Sequence, residues 1–309
     1  TEKNKINMNF SVKDSEKFYV EKINIFGNFN TVEKVVRNKL IVDEGDPYNK
    51  LLHNKSLNEI KSLGIFKNVY SEVVEGSNPN TKILNISVEE KPTGEISLGA
   101  GYGTDGGVIG GSLKEKNFLG KGIMLNTDFQ LSNEGIKGSL TYSKPNFNYS
   151  DNTLNTSIKS LTQDSLSSSG YKITTAGLSV GTTYEQYENL FFSPEVDFTL
   201  EDLTTNSTAS NNMKKQEGSY KDFYFNYGLT YDLRNSSYNP NSGNVTRFFE
   251  KLPIASTGNE IDNTLIFATY KTLNSEESMV GKASFYLNAI NSLDGSDVRI
   301  SKRSKLPYS

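Results

Sequence analysis

The chain has 309 residues, a formal net charge of -3 and a pI near 5.5, with no cysteine and a single histidine. That balance supplies no basic field for nucleic acid. The missing cysteines exclude a disulfide scaffold, a thiolate zinc site and a cysteine nucleophile. With only His53 to draw on, metal centres and Ser–His triads are poor fits, and His53 is expected on a helix surface. Mean hydropathy is -0.53, and no apolar run approaches the ~18–20 residues that a membrane helix needs. A membrane β-barrel is untouched by that test, because only alternate residues of each strand face lipid. The 17 tyrosines and 17 phenylalanines suit an aromatic girdle, and equally a soluble β protein. No signal peptide is visible at Thr1, so the chain is expected to begin within a longer protein or to be processed.

In chain order, residues 6–12 alternate in polarity and read as the last strand of a preceding domain. Residues 18–26 form a second strand, ended by Gly27 and Asn28. Val32, Val35, Val36 and Leu40 then lie on one face of a helix, with Asn30 or Thr31 as its N-cap. After the turn at residues 44–47, a second helix is predicted over 49–63. Leu52, Leu57, Ile60 and Leu63 form its inner side, and Gly64 its C-terminal stop. Residues 68–74 and 83–88 are two strands across the turn 76–80. The order is β-α-α-β-β.

Past Pro92 the pattern changes to strands. Ile96, Leu98, Ala100 and Tyr102 share one face of residues 94–102, and Glu95, Ser97, Gly99 and Gly101 the other. Further strands are predicted at 108–113, 123–131, 136–142, 154–160, 174–180, 192–200, 223–231, 245–251, 265–270 and 280–289. In the strand 223–231, Phe223, Phe225, Tyr227, Leu229 and Tyr231 face out, while Tyr224, Asn226, Gly228 and Thr230 face in. The connections fall into two sets. One is compact (117–122, 145–151, 184–189, 234–243), and the other includes long polar loops at 163–170 and 202–218. Sorting of this kind marks an outer-membrane barrel. A barrel in lipid must close, and an odd strand number ending in the polar stretch 297–309 predicts a fragment cut at both ends. An open sheet with an exposed last strand near 280–289 is expected.

Two decoys are set aside. Gly101-Tyr-Gly-Thr-Asp-Gly106 matches G-x-G-x-x-G, but a strand follows where a dinucleotide fold needs a helix. Asp232 and Arg234 read as a turn held by a local charge pair. Glu89 and Glu90, adjacent on a strand, point to opposite faces and cannot act as an acid–base pair.

Several stretches resemble the BamA family of outer-membrane assembly factors. FYVEKINIFGN, EGDPYN and SLGIFKNV are similar to parts of a POTRA (polypeptide-transport-associated) repeat. VEEKPTGEISLGAGY with GGSLKEKNFLGKG resembles the junction of the last repeat with the first two barrel strands. YSKPNF and YDLRNSSYNPNSG look like later periplasmic turns. The resemblance implies an α+β POTRA domain (β-α-α-β-β) over 15–92, preceded at 1–14 by the end of another repeat. An all-β antiparallel transmembrane barrel would follow over 93–309, incomplete at about eleven of sixteen strands. The family's Arg-Gly-Phe/Tyr loop motif is absent from this stretch, which leaves the subfamily open.

The function implied is non-enzymatic assembly of outer-membrane proteins in the outer membrane, with POTRA in the periplasm. The first barrel strand (Gly94, Glu95, Ile96, Ser97, Leu98, Gly99, Ala100, Gly101, Tyr102) would be a lateral seam that templates client strands. A POTRA edge (Asn68, Val69, Tyr70, Ser71, Glu72, Val73, Val74) would receive a client strand or a lipoprotein. Expected partners are unfolded outer-membrane proteins, accessory lipoproteins of the assembly complex and outer-membrane lipid, with no nucleic acid, metal or cofactor. An ordinary lipid-facing strand and a solvated POTRA edge guarded by Glu72 and Glu75 are the plain alternatives for these residues. At the level of function the alternatives are a two-partner secretion transporter, a passive channel and an enzyme on a soluble β scaffold.

Overall fold

The computed structural model describes residues 16–103, 106–133, 135–236, 240–274 and 279–303. The strand expected at 6–12 lies outside them. The described residues form two compact units, one comprising 16–93 with 119–121 and the other the rest of them.

The first unit contains β1 (Tyr19–Phe26), α1 (Glu33–Arg37), α2 (Lys50–Ser62), β2 (Phe66–Glu75) and β3 (Thr81–Glu90). The sheet order is β1-β3-β2, with β1 parallel and β2 antiparallel to β3. Its core gathers Val20, Ile23, Val36, Val42, Ile60, Ile65, Leu84 and Ile86 between the helices and one sheet face. The β-α-α-β-β order therefore matches the alternation in the sequence.

Several local expectations fail here for identifiable reasons. The first helix is only five residues long, so Leu40 lies beyond it, and its N-cap is Val32 with no side-chain cap. The β-branched pair Ile41-Val42 has poor helix propensity, and Val42 is drawn into the core. The chain entering this helix is held from a distance by Glu90. Its carboxylate accepts from the main-chain N–H of Asn30 at 3.0 Å and of Thr31 at 2.7 Å. Burial opposes the charge on Glu90, but the hydrogen bonds from Thr31 and Asn30 outweigh it and hold the carboxyl below its ordinary range.

The second helix is capped as its sequence suggests. Asn49 accepts from Leu51 and Leu52 N–H, and Gly64 turns with φ of +66° just past the end. Its inner face is rotated from the expected one. Leu52 is exposed, whereas His53 is only 4% exposed and Ser56 is buried. Both buried polar groups are satisfied. His53 Nε2 lies 2.9 Å from Ser71 Oγ on β2, and Ser56 Oγ accepts from Ile41 N–H at 2.8 Å.

Burial lowers the pKa of His53 from its ordinary value. As pH falls, the unfolded chain takes up a proton before the native one does. Stability of this unit is therefore full above the ordinary imidazole range and declines as pH drops below about 6.5, by at most about 1.4 kcal/mol per pH unit. Hydrogen exchange of α2 and β2 amides, corrected for intrinsic rates, should show weaker protection at pH 5.5 than at 7.5. His53→Gln should flatten the difference, and a difference that survives the substitution counts against the assignment.

The second unit is one antiparallel sheet of eleven strands in chain order. They are β4 (Gly94–Gly103), β5 (Gly106–Phe118), β6 (Ile123–Ser132), β7 (Gly135–Lys144), β8 (Thr153–Ser165), β9 (Tyr171–Tyr187), β10 (Leu190–Thr205), β11 (Gly218–Asp232), β12 (Gly243–Ser256), β13 (Glu260–Thr272) and β14 (Val280–Ser292). The burial is inside-out relative to a soluble sheet. On β10, Asp197, Thr199 and Glu201 are 2–4% exposed, while Val196, Phe198 and Leu200 are 40–42% exposed. Polar side chains thus line a packed inner wall and apolar ones form the outer surface. On that outer face Tyr184, Phe192, Tyr227 and Phe248 run across four strands with ring centroids 5.8–6.3 Å apart, an aromatic band.

The expected sorting of loops is only partly present. β8 extends to Ser165 and β10 to Thr205, so the first long loop shrinks to 166–170. Only 206–217 remains long, and it carries the short helix α3 (Asn211–Lys214). Alternation through Thr, Ser and Asp continues these strands beyond their apolar band. The glycine decoy is part of a hairpin in which Gly103 pairs with Gly106 and β5 follows. The Arg234 guanidinium donates to Asp232 at 2.6 and 2.8 Å, closing the expected turn pair.

Candidate functional site

Two strand edges emerge from this packing. Among the described residues, β4 of the large sheet has strand partners on β5 alone, and β14 on β13 alone. All nine residues from Gly94 to Tyr102 lie on β4. Two residues separate Gly103 from Gly106, so this closing pair exchanges both main-chain hydrogen bonds. Alternation then directs the main chain of Glu95, Ser97, Gly99 and Gly101 toward β5. The N–H and C=O groups of Gly94, Ile96, Leu98, Ala100 and Tyr102 point to the open edge. Their side chains form the apolar face, with Ile96, Leu98 and Tyr102 strongly exposed. Gly99 and Gly101 have open space where a Cβ would stand, so the opposite face of β4 is bare backbone at those two positions. Such a strand holds its neighbours through main-chain bonds with little side-chain packing.

In the small sheet both outer strands could offer an edge, but β1 is covered. Val20 N–H donates to Asp46 O at 2.9 Å, Gly45 N–H to Val20 O at 2.7 Å and Tyr48 N–H to Phe18 O at 2.7 Å. The Arg37 guanidinium caps Ile23 O, and Glu44 accepts from Ile23 N–H. Among the described residues, β2 has strand partners on β3 alone. The residues Asn68 to Val74 all lie on it. Tyr70 is exposed, Val69 is in the core, and Ser71 is tied to His53. Asn68 and Lys67 both bind Glu89, at 2.6 and 3.0 Å, and hold its carboxyl below the usual range. Glu90 points the other way, to Asn30 and Thr31, so the adjacent pair Glu89-Glu90 is divided between faces.

Sequence reasoning missed two clusters on the inner wall. Asp197 binds Lys159 at 3.0 Å and Lys251 at 3.2 Å. Arg299 is buried against Asp222, Glu260 and Glu201. The available signal was Asp197 and Glu201 at alternate inward positions of one strand, facing the inward Asp222 of the next.

An Omp85 superfamily domain matches residues 117–304, and a POTRA model, described as a surface antigen variable number repeat, matches 18–91. The outer membrane protein assembly factor BamA of Neorickettsia risticii is 32% identical over 143 residues, 45% of this chain and 19% of the relative. BamA of Neisseria meningitidis serogroup B is 30% identical over 227 residues, 71% of this chain and 27% of the relative. The chain therefore spans only about a fifth to a quarter of these relatives. The crystal structure of BamA from Haemophilus ducreyi lacking POTRA domains 1-3 superposes with a TM-score of 0.71 at 23% identity, covering 92% of this chain and 57% of that one. CdiB from Acinetobacter baumannii shares the fold more loosely, with a TM-score of 0.54 at 11% identity over 90% of this chain and 53% of that one. The chain belongs to the Omp85 superfamily, as a BamA-type outer-membrane β-barrel segment with a periplasmic POTRA domain.

Proposed function

We propose that this chain is part of a non-enzymatic insertase that assembles β-barrel proteins into the outer membrane, with β4 as the strand on which clients grow. What supports the reading is the likeness to BamA together with the make-up of β4, whose main-chain groups at Gly94, Ile96, Leu98, Ala100 and Tyr102 face away from β5 and have no strand partner among the described residues. An unpaired backbone group in lipid costs several kcal/mol. A client strand added there satisfies both edges at once, whatever its side chains. No cofactor is needed, because the driving force is client folding, aided by local thinning of the bilayer beside the seam. Residues 15–92 form the POTRA domain in this reading, 93–309 the start of the barrel, and 1–14 the end of a preceding repeat. The residues Asn68 to Val74 offer a second edge, to an unfolded outer-membrane protein or an accessory lipoprotein of the assembly complex.

The likeness to CdiB motivates a second reading, a transporter that exports one polypeptide through its lumen. A passive channel would have no use for a POTRA domain. Depletion of the full-length protein in its host separates these readings. Assembly predicts a several-fold fall in many outer-membrane barrel proteins together. Loss of a single secreted protein with the barrels unchanged would overturn assembly in favour of export.

A further inference from the structure

The apolar outer surface of the large sheet is broken by a polar site where β11, β12 and β13 run side by side. Glu250 on β12 stands opposite Tyr227 on β11 and Asn263 on β13. Residues directly opposite one another on antiparallel strands share a face, and Tyr227 belongs to the outer aromatic band. All three therefore point outward. Their chain neighbours point the other way: Asn226 reaches Glu195, and Lys251 reaches Asp197 on the inner wall.

The site lies within the apolar belt, not at its rim. Along the strands, Phe225 and Leu229 flank Tyr227 on its face, Phe248 and Leu252 flank Glu250, and Ile261 and Leu265 flank Asn263. Among the described residues, Glu250 is the only carboxylate or amine flanked in this way on an outward face. The Tyr227 hydroxyl donates to Glu250 Oε2. Glu250 Oε1 and the Asn263 carboxamide have no hydrogen-bond partner among the described residues. Acyl chains offer neither donor nor acceptor, so leaving both groups against lipid is costly. A polar group brought by another membrane-embedded chain removes that cost.

The two groups are complementary to each other. Glu250 accepts, Asn263 donates, and an opposed pair of this kind lies roughly 5 Å apart on neighbouring strands. Copies of one barrel enter the membrane facing the same way, so two of them pack as a symmetric pair only about an axis along the membrane normal. A two-fold axis passing between β12 and β13 sets Glu250 of each copy against Asn263 of the other. Both free groups are then satisfied in both copies, with the flanking apolar side chains in contact around them.

We propose that the outer face of β12 and β13 is an interface between two copies of this protein in the membrane. Its centre is a reciprocal pair of hydrogen bonds, from Asn263 of each copy to Glu250 of the other. The inference does not rest on the assembly reading. β4 lies at the far edge of the sheet, eight strands from β12, and pairing leaves it free whether or not clients grow there.

The test is photocrosslinking in cells that express the full-length protein in two differently tagged forms. A probe at Leu265, beside Asn263 on the outer face, should give an adduct of twice the chain mass that carries both tags. A probe at Leu178, on the outer face of β9, should give none. Asn263→Leu and Glu250→Leu should each lower the doubled adduct by about tenfold. Glu250→Gln keeps an acceptor oxygen and should retain it. Migration of the unboiled protein as a folded barrel reports assembly of each variant, and if one leucine variant does not assemble the other is read. No adduct at Leu265, an adduct with lipid or with a different protein alone, or a doubled adduct that survives the leucine substitutions would overturn the pairing.

Discussion

Proline in place of Ala100 is expected to abolish client insertion while leaving the β4–β5 hairpin paired. The N–H of Ala100 points to the open edge, by the alternation that starts from the Gly103–Gly106 pair. Proline removes that donor and projects its ring where a client main chain would lie. It removes nothing from the ladder to β5, and edge strands tolerate proline on their solvent side. Its neighbours at 99 and 101 are glycines with open space around them, so the ring meets no side chain on β4. Insertion of a labelled client into liposomes bearing the full-length protein should fall at least tenfold. Ala100→Val, which keeps the donor, should insert clients normally. Proline at Gly99 should instead break a bond to β5 and disorder the hairpin. Normal insertion by the Ala100→Pro protein would mean that main-chain pairing at this edge is not the mechanism.

A comparable loss, of stability, is expected from Ile60→Ala in the POTRA domain. Ile60 is fully buried where α2 meets the sheet, amid Ile23, Ile65, Leu84 and Ile86. Truncating such a side chain removes its transfer free energy and leaves a cavity, together about 2–5 kcal/mol. Small domains are stable by only about 5–15 kcal/mol, so a large share would go. A urea titration monitoring this unit should show the midpoint falling with little change in slope. Leu52→Ala, at a position that the apolar spacing alone would place inside, should shift it far less because Leu52 is exposed.

The contrast between Ile60 and Leu52 marks what could be read from the sequence. Period-two alternation located all eleven strands of the large sheet, because a strand with one face to lipid and one to a polar wall must alternate. The β-α-α-β-β order was equally plain from capping and turn residues. What stayed hidden depended on partners distant in sequence. His53 looked like a surface residue until Ser71 on β2 supplied its hydrogen bond. The segment that leads into the first helix is held by Glu90, about sixty residues away. Strand ends were misplaced because Ser, Thr and Asp continue a strand above an apolar band as readily as they make a loop. The open edges of β4 and β2 were expected from the resemblance, but which edge of the small sheet is free depends on the loop at 44–48 covering β1. The Arg299 cluster joins residues 39 and 77 positions apart, beyond the reach of any local pattern.

The most direct measurement for the seam is site-specific photocrosslinking in cells expressing the full-length protein. Probes at Ser97 and Gly99 sit on β4, and a probe at Thr230 on β11 serves as the mid-sheet control. The account predicts crosslinks to nascent outer-membrane proteins from residues 97 and 99 and none from 230. Equal crosslinking at both places, or none at β4, would contradict the seam and point to passage through the lumen.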